Sequence, residues 1–111
     1  MRSDRSDGLK ARVEEIDKLV HEPARLLLMA HLYVVEEADF VYLLDQTGLT
    51  AGNVSSHMKR LVAAEYVEME KAFVENRPQT TYRLSRSGRI AFDAYRDNIA
   101  GILDMLPEKE R

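Results

Sequence analysis

The 111-residue chain contains no cysteine and no tryptophan. Without cysteine it has no disulfide, no thiolate-held metal and no cysteine nucleophile. Three prolines and five glycines leave no low-complexity linker, and no internal repeat is present. The longest mostly apolar stretch, Leu26 to Val35, is interrupted by His31. A bilayer span needs about 20 such residues, so none is expected. The opening residues 1–8 carry no apolar h-region, so no secretory signal is expected and the protein is assigned to the cytoplasm. No glycine-rich phosphate loop or nucleophile motif appears. His21, His31 and His57 lack close-spaced ligand partners, which argues against a metal site. Glu36 and Glu37 are adjacent and cannot face each other on a helix, so they do not read as a catalytic pair. No cofactor and no enzymatic activity are expected.

What remains is one soluble domain's worth of chain, 45% apolar and 32% charged. At this size about 65% of the unfolded surface can be buried, enough for a core without staples. The net charge of −3 is unevenly spread. Residues 1–49 hold 6 basic and 10 acidic side chains, residues 50–89 hold 7 and 4, and residues 90–111 hold 3 and 5. Positive charge is therefore concentrated in the middle third, where a solvated face or a polyanion partner would both account for it.

Hydrophobic spacing predicts the elements. Residues 1–8 are polar and expected to be frayed. Leu9, Val13, Ile16, Leu19 and Val20 form one stripe of an amphipathic helix. Pro23 suits the first turn of a second helix, apolar nearly all round through Val34 and placed in the core. Asp39 is a good N-cap for a short third helix, Phe40 to Gln46. Thr47-Gly48-Leu49 makes a tight turn, and Thr50 caps a fourth helix with Val54, Met58, Leu61 and Val62 at core spacing. Two helices joined by a short turn containing glycine are the signature of a helix-turn-helix. The period then drops to two. Val67, Met69 and Phe73 alternate with Glu68, Glu70 and Ala72, residues 75–78 form a loop, and Thr80 to Leu84 alternates again, which predicts a β-hairpin. Ser85 caps a last helix bearing Ile90, Phe92, Tyr95, Ile99, Ile102, Leu103 and Leu106, closed by Pro107.

The run from Ala38 to Glu68, followed by Thr81-Tyr-Arg-Leu-Ser-Arg-Ser-Gly88, resembles the winged helix-turn-helix of MarR- and ArsR-type transcription regulators. The resemblance covers about residues 13–92. It implies an α+β, mainly α fold: a winged helix-turn-helix with a two-stranded β-hairpin wing, flanked by N- and C-terminal dimerisation helices. A single domain would span 9–106, with the helix-turn-helix at about 39–64, the wing at about 66–85 and the last helix at about 86–106. It also implies a dimer on double-stranded DNA, with the helix after Gly48 in the major groove and the hairpin tip beside the minor groove. The cysteine motif that ArsR-like metal sensors often carry is replaced here by Val41-Tyr-Leu-Leu44. Family members often have glycine at the end of the recognition helix, where this chain has Glu65. A left-handed backbone there would cost on the order of 1–2 kcal/mol.

The residues themselves fit that expectation. With Val54, Met58 and Leu61 inward, the outer face carries Ala51, Gly52, Asn53, Ser55, Ser56, Lys59 and Arg60. Its first half is small and polar and can approach base edges, and asparagine can pair bidentately with adenine. Lys59 and Arg60 follow one to two turns later, where phosphates would lie. No acidic residue occurs from Gln46 to Val62. Thr50 and His57 complete the candidate DNA-binding set, His57 as a packing or phosphate-contacting histidine. Arg77 at the hairpin tip suits a narrow minor groove. Glu68, Glu70 and Glu75 count against a broad wing interface, and Glu68 and Glu70 are expected to pair with Arg83. Leu9, Val13, Ile16, Tyr95, Ile99, Ile102, Leu103 and Leu106 are the candidate dimerisation residues. The leading expectation is a homodimeric, sequence-specific regulator, a repressor in type, on a palindromic operator. A small-molecule effector is compatible but has no support in the sequence. The alternative is a winged-helix module that docks on other proteins without binding DNA.

Overall fold

A computed structural model describes residues 3–109. Five helices and three strands follow in the order α1 (Ser3–Glu14), α2 (Pro23–Val35), β1 (Glu37–Asp39), α3 (Phe40–Thr47), α4 (Ala51–Ala63), β2 (Val67–Val74), β3 (Arg77–Leu84) and α5 (Arg86–Asp104). The strands make one antiparallel sheet in the order β1-β3-β2. The fold is mainly helical, as expected, with a β-hairpin wing.

The observed elements differ from the expected ones in several places. α1 begins at Ser3, inside the segment expected to be frayed, while Met1 and Arg2 lie outside the described residues. α1 also stops at Glu14, so Ile16, Leu19 and Val20 belong to the connection into α2. The Asp17 side chain holds this connection by accepting the Leu19 N–H at 2.9 Å and the Tyr66 hydroxyl at 2.5 Å. The wing has a third strand beside it, because Glu37–Asp39 pairs with Thr81–Arg83 of β3. Three residues are too few for alternation to reveal. The last helix ends at Asp104, short of Leu106 and Pro107.

The core lies where α2, α3, α4, α5 and the sheet meet. Leu28, Met29 and Leu32 of α2 pack with Leu43 of α3, Val54, Met58 and Leu61 of α4, and Val67, Tyr82 and Leu84 of the hairpin. Phe92 and Tyr95 close it from α5. Burial raises the Tyr82 hydroxyl above its ordinary pKa, since a phenolate there would lose its hydration.

Local chemistry accounts for the helix ends that position the outer face of α4. The Asp39 carboxylate accepts the Tyr42 N–H at 2.7 Å and starts α3. Gly48 ends α3 in the left-handed region, φ 71°, where a Cβ is unfavourable. Thr50 then caps α4, its hydroxyl accepting the Asn53 N–H at 3.1 Å. At the far end, Glu65 has φ 66°, so the left-handed residue anticipated from the sequence is present without glycine. The Tyr66 N–H reaches Leu61 O and the Glu65 N–H reaches Val62 O, the paired bonds of a Schellman motif. The N-terminus of α5 secures this strained corner. The Ser85 and Ser87 hydroxyls both donate to Glu65 O, at 2.5 and 2.7 Å, and the Ser85 N–H donates to Tyr66 O at 3.0 Å.

Candidate nucleic-acid interface

The outer side of α4 is open to solvent. Thr50, Ala51, Gly52, Asn53, Ser55, Ser56, Lys59 and Arg60 are all exposed, while Val54, Met58 and Leu61 anchor the inner side. Nothing lies within 4 Å of the position a Cβ would take on Gly52, so the first turn is unobstructed. Lys59, Arg60 and Arg77 make no ion pair among the described residues. Their charges are therefore available to an external anion.

His57 sits differently from the rest of the candidate set. It is half-buried and turned toward α2, where Arg25 Nη1 lies 3.2 Å from its Nδ1. Arginine carries only donors, so Nδ1 accepts. Arg25 is itself 7% exposed and donates through Nε to Leu19 O at 2.6 Å. His57 thus ties α4 to the head of α2 and acts from inside. Glu22 starts α2, and the Arg25 N–H donating to its carboxylate holds Glu22 below the usual carboxylate range. Sequence reasoning missed Arg25, because a lone arginine in an apolar helix carries no motif.

The wing is a tight hairpin. Glu75 and Asn76, with φ 53° and 66°, form a two-residue turn, and the loop expected over 75–78 shortens to these two because Arg77 and Pro78 already belong to β3. Two positive φ values in succession match the twist of the flanking strands. Arg77 is exposed beside the tip, paired with Val74. Arg83 engages Glu70 at 3.2 Å and Glu37 at 3.6 Å. The expected Glu70 pairing is present; Glu68 is opposite Arg83 in register but β1 supplies the second carboxylate. Between α4 and the wing runs a cleft of ≈ 450 Å³, with Ser55 and Lys59 on one wall and Met69, Lys71 and Thr80 on the other. Lys71 is a basic residue of the site that the sequence reading passed over.

The candidate dimerisation residues divide. Val13, Leu103 and Leu106 are 48%, 59% and 50% exposed and form the unpartnered part of the stripe. Leu9 and Ile102 are half-buried. Ile16 and Ile99 pack against the core. Tyr95 is buried, with its hydroxyl 2.8 Å from His21 Nδ1, so it stabilises the protomer and does not reach the open stripe. Its spacing matched both roles, and only packing separates them.

The model of the winged helix DNA-binding domain family matches residues 24–103. The chain belongs to this family. A protein of uncharacterized function from Methanocaldococcus jannaschii is 33% identical over 78 residues, covering 70% of this chain and 85% of that protein. A transcriptional regulator homologue from Pyrococcus horikoshii OT3 has a similar structure, with TM-score 0.77, 23% identity, and coverage of 88% of this chain and 95% of that one. A mutant MarR from E. coli superposes with TM-score 0.67 at 14% identity, covering 96% of this chain and 79% of that one. The winged helix of this chain is of the MarR type in its fold. Among the described residues no helix is long and apolar enough to cross a membrane.

Proposed function

We propose that the chain is a homodimeric, sequence-specific double-stranded DNA-binding regulator of transcription that represses by occupying a promoter. The observation that carries this reading is the outer side of α4: open, free of acidic residues, small and polar in its first half and basic in its second. α4 enters the major groove with Asn53, Ser55 and Ser56 nearest the base edges. Lys59 and Arg60 meet phosphates, and Arg77 approaches the flanking minor groove. Two copies joined through the exposed stripe of α1 and α5 would set their α4 helices about 34 Å apart, one turn of DNA, which calls for a palindromic site.

Selection of bound duplexes from a random pool, followed by anisotropy titrations, tests the reading. Asn53→Ala is expected to relax preference at one base step by about 1–3 kcal/mol. Lys59→Ala is expected to weaken all duplexes alike and to lower the slope of log K against log salt by about one. Equal losses on selected and random duplexes for Asn53→Ala would remove it from base readout. Failure of the wild type to bind any duplex at micromolar protein and low salt would sink the reading and favour a protein-docking module.

A further inference from the structure

Arg25 is a buried charge with no ion pair among the described residues. Burying an ion is costly unless its donors are satisfied. Here two uncharged acceptors serve it. Nε donates to Leu19 O at 2.6 Å, in the connection between α1 and α2, and Nη1 donates to His57 Nδ1 at 3.2 Å, on α4. One guanidinium therefore fastens α4 to the connection through the head of α2.

The contact holds only while His57 is neutral. Nδ1 accepts through a free lone pair, which places the ring proton on Nε2. A second proton takes that lone pair, makes Nδ1 a donor and sets two cations 3.2 Å apart. Arg25 is held by Leu19 O inside the protein, whereas His57 is half-buried, so relief comes from the histidine and the helix that carries it. The surrounding charges do not offset the repulsion. Glu22 of α2 attracts a charged imidazole but makes no hydrogen bond to it, and its carboxylate already accepts the Arg25 N–H at 2.8 Å. Arg25 is in direct contact, and the nearer charge prevails. In the connection, Asp17 accepts from the Leu19 N–H and the Tyr66 hydroxyl, and His21 is bonded to the Tyr95 hydroxyl. Arg60, one turn on along α4, adds positive charge. His31 of α2, Asp45 of α3, and Glu68, Glu70 and Lys71 of β2 make no hydrogen bond or ion pair with His57 among the described residues.

We propose that Arg25 is a positioning residue for the open side of α4, acting through neutral His57, and that a proton on His57 releases the helix from this seat. Asn53, Ser55 and Ser56 move with α4, so release displaces the groups nearest the base edges. The inference rests on the DNA-binding reading above and adds a control by acidity to it. The sign is distinctive. A histidine that met a phosphate would gain charge in acid and tighten binding. A histidine that must stay neutral to hold its helix weakens binding instead.

The test compares wild type, His57→Asn and Arg25→Met near neutrality and in mild acid, at about pH 7.5 and about pH 5.5, the interval in which imidazole ordinarily gains its proton. Salt is held constant, and thermal melts at both values check folding. Hydrogen exchange of the α4 amides, corrected for the intrinsic effect of pH, reads the seat without DNA. Anisotropy titration on a duplex selected by the wild type reads binding. The asparagine Oδ1 is bonded to Cγ as Nδ1 is, and accepts from Arg25 in both conditions. In acid, wild type is expected to exchange its α4 amides faster and to bind about tenfold more weakly; His57→Asn is expected to show neither change. Arg25→Met is expected to bind more weakly than wild type near neutrality and to lose the further drop in acid. Should it fail to fold, the His57→Asn comparison decides alone. Unchanged α4 exchange in wild type, or loosening in acid that persists in His57→Asn, would overturn the proposal. Binding that tightens in acid and ceases to do so in His57→Asn would overturn it in favour of a phosphate contact. A wild type that binds no duplex near neutrality would sink the DNA-binding reading, and the exchange comparison would still decide whether Arg25 and His57 seat α4.

Discussion

Gly88→Ala should loosen the corner that joins α4 to the wing. Gly88 is buried in the first turn of α5, and its N–H donates to the Ser85 hydroxyl at 2.9 Å. A Cβ built there would lie 2.0 Å from Tyr66 O, 2.9 Å from its carbonyl carbon and 3.1 Å from its Cα. All three atoms are backbone, so no rotamer change relieves the overlap. The carbonyl would have to retreat by about 1 Å, and it is the acceptor of the Ser85 N–H at 3.0 Å. Overpacking of this kind costs about 1–3 kcal/mol, and the lost hydrogen bond about 1 kcal/mol more. The intrinsic helix preference of alanine returns about 1 kcal/mol. The net expected loss is about 2 kcal/mol, a fall in Tm of about 8 °C for a domain of this size. Gly52→Ala is the matched control, because nothing lies within 4 Å of its Cβ position. There the same substitution should be neutral or stabilising by about 0.5–1 kcal/mol. Thermal melts followed by circular dichroism measure both. A Gly88→Ala variant at least as stable as wild type would refute the close approach of α5 to Tyr66.

Two further predictions concern the protomer and its assembly. The hydrogen bond to Asp17 pushes the Tyr66 hydroxyl up to about 12. A raised folded value means that the neutral phenol is favoured by folding, so the contribution is full below about pH 10, the unfolded value. It declines as pH rises toward 12. Melts between about pH 8 and pH 11 should show wild type losing stability faster than Tyr66→Phe at the alkaline end, with Tyr66→Phe about 1 kcal/mol less stable near pH 8 after allowance for partial exposure. Parallel curves would exclude the Asp17–Tyr66 link. Leu103 is 59% exposed, so Leu103→Glu should leave the protomer's stability within about 0.5 kcal/mol while placing a charge in the proposed dimer interface. Sedimentation should give dimer mass for wild type and monomer mass for the variant; a monomeric wild type would refute the interface.

The helical part of the fold was legible because each signal was local and agreed with its neighbours. Asp39, Gly48, Thr50 and Ser85 cap or end helices where a reading of short side-chain oxygens and glycine places them. The spacing of Val54, Met58 and Leu61 settled which side of α4 turns inward, and hence which residues are open to a ligand. What was not legible depends on contacts distant in sequence. β1 is three residues long and exists only because β3 has a free edge. α1 stops at Glu14 although its apolar stripe continues, because Asp17 turns the chain to reach Tyr66. Tyr95 and Leu103 lie on the same helix with similar hydrophobic character, yet one is 9% exposed and the other 59%. Spacing orders residues around a helix without saying which neighbour arrives.

The wing illustrates the same limit with a functional consequence. Period-two alternation correctly separates Met69 and Phe73 from Glu68 and Glu70, but it does not say which set faces α4. Taken as a sum, the wing is neutral, with three acidic and three basic side chains from Val67 to Leu84, and gives no electrostatic preference for DNA. Taken by face, Glu68 and Glu70 sit with Arg83 on the far side, and along the paired strands the near side holds Lys71 alone among uncharged residues. A polyanion at the cleft experiences the near face at contact distance and the far face through the thickness of the sheet, with salt screening over about 8–10 Å. The local arrangement therefore outweighs the net charge of −3. A protein of this composition binds DNA, if its charge is sorted this way, through a few well-placed cations, and its affinity should fall with salt along a correspondingly shallow slope.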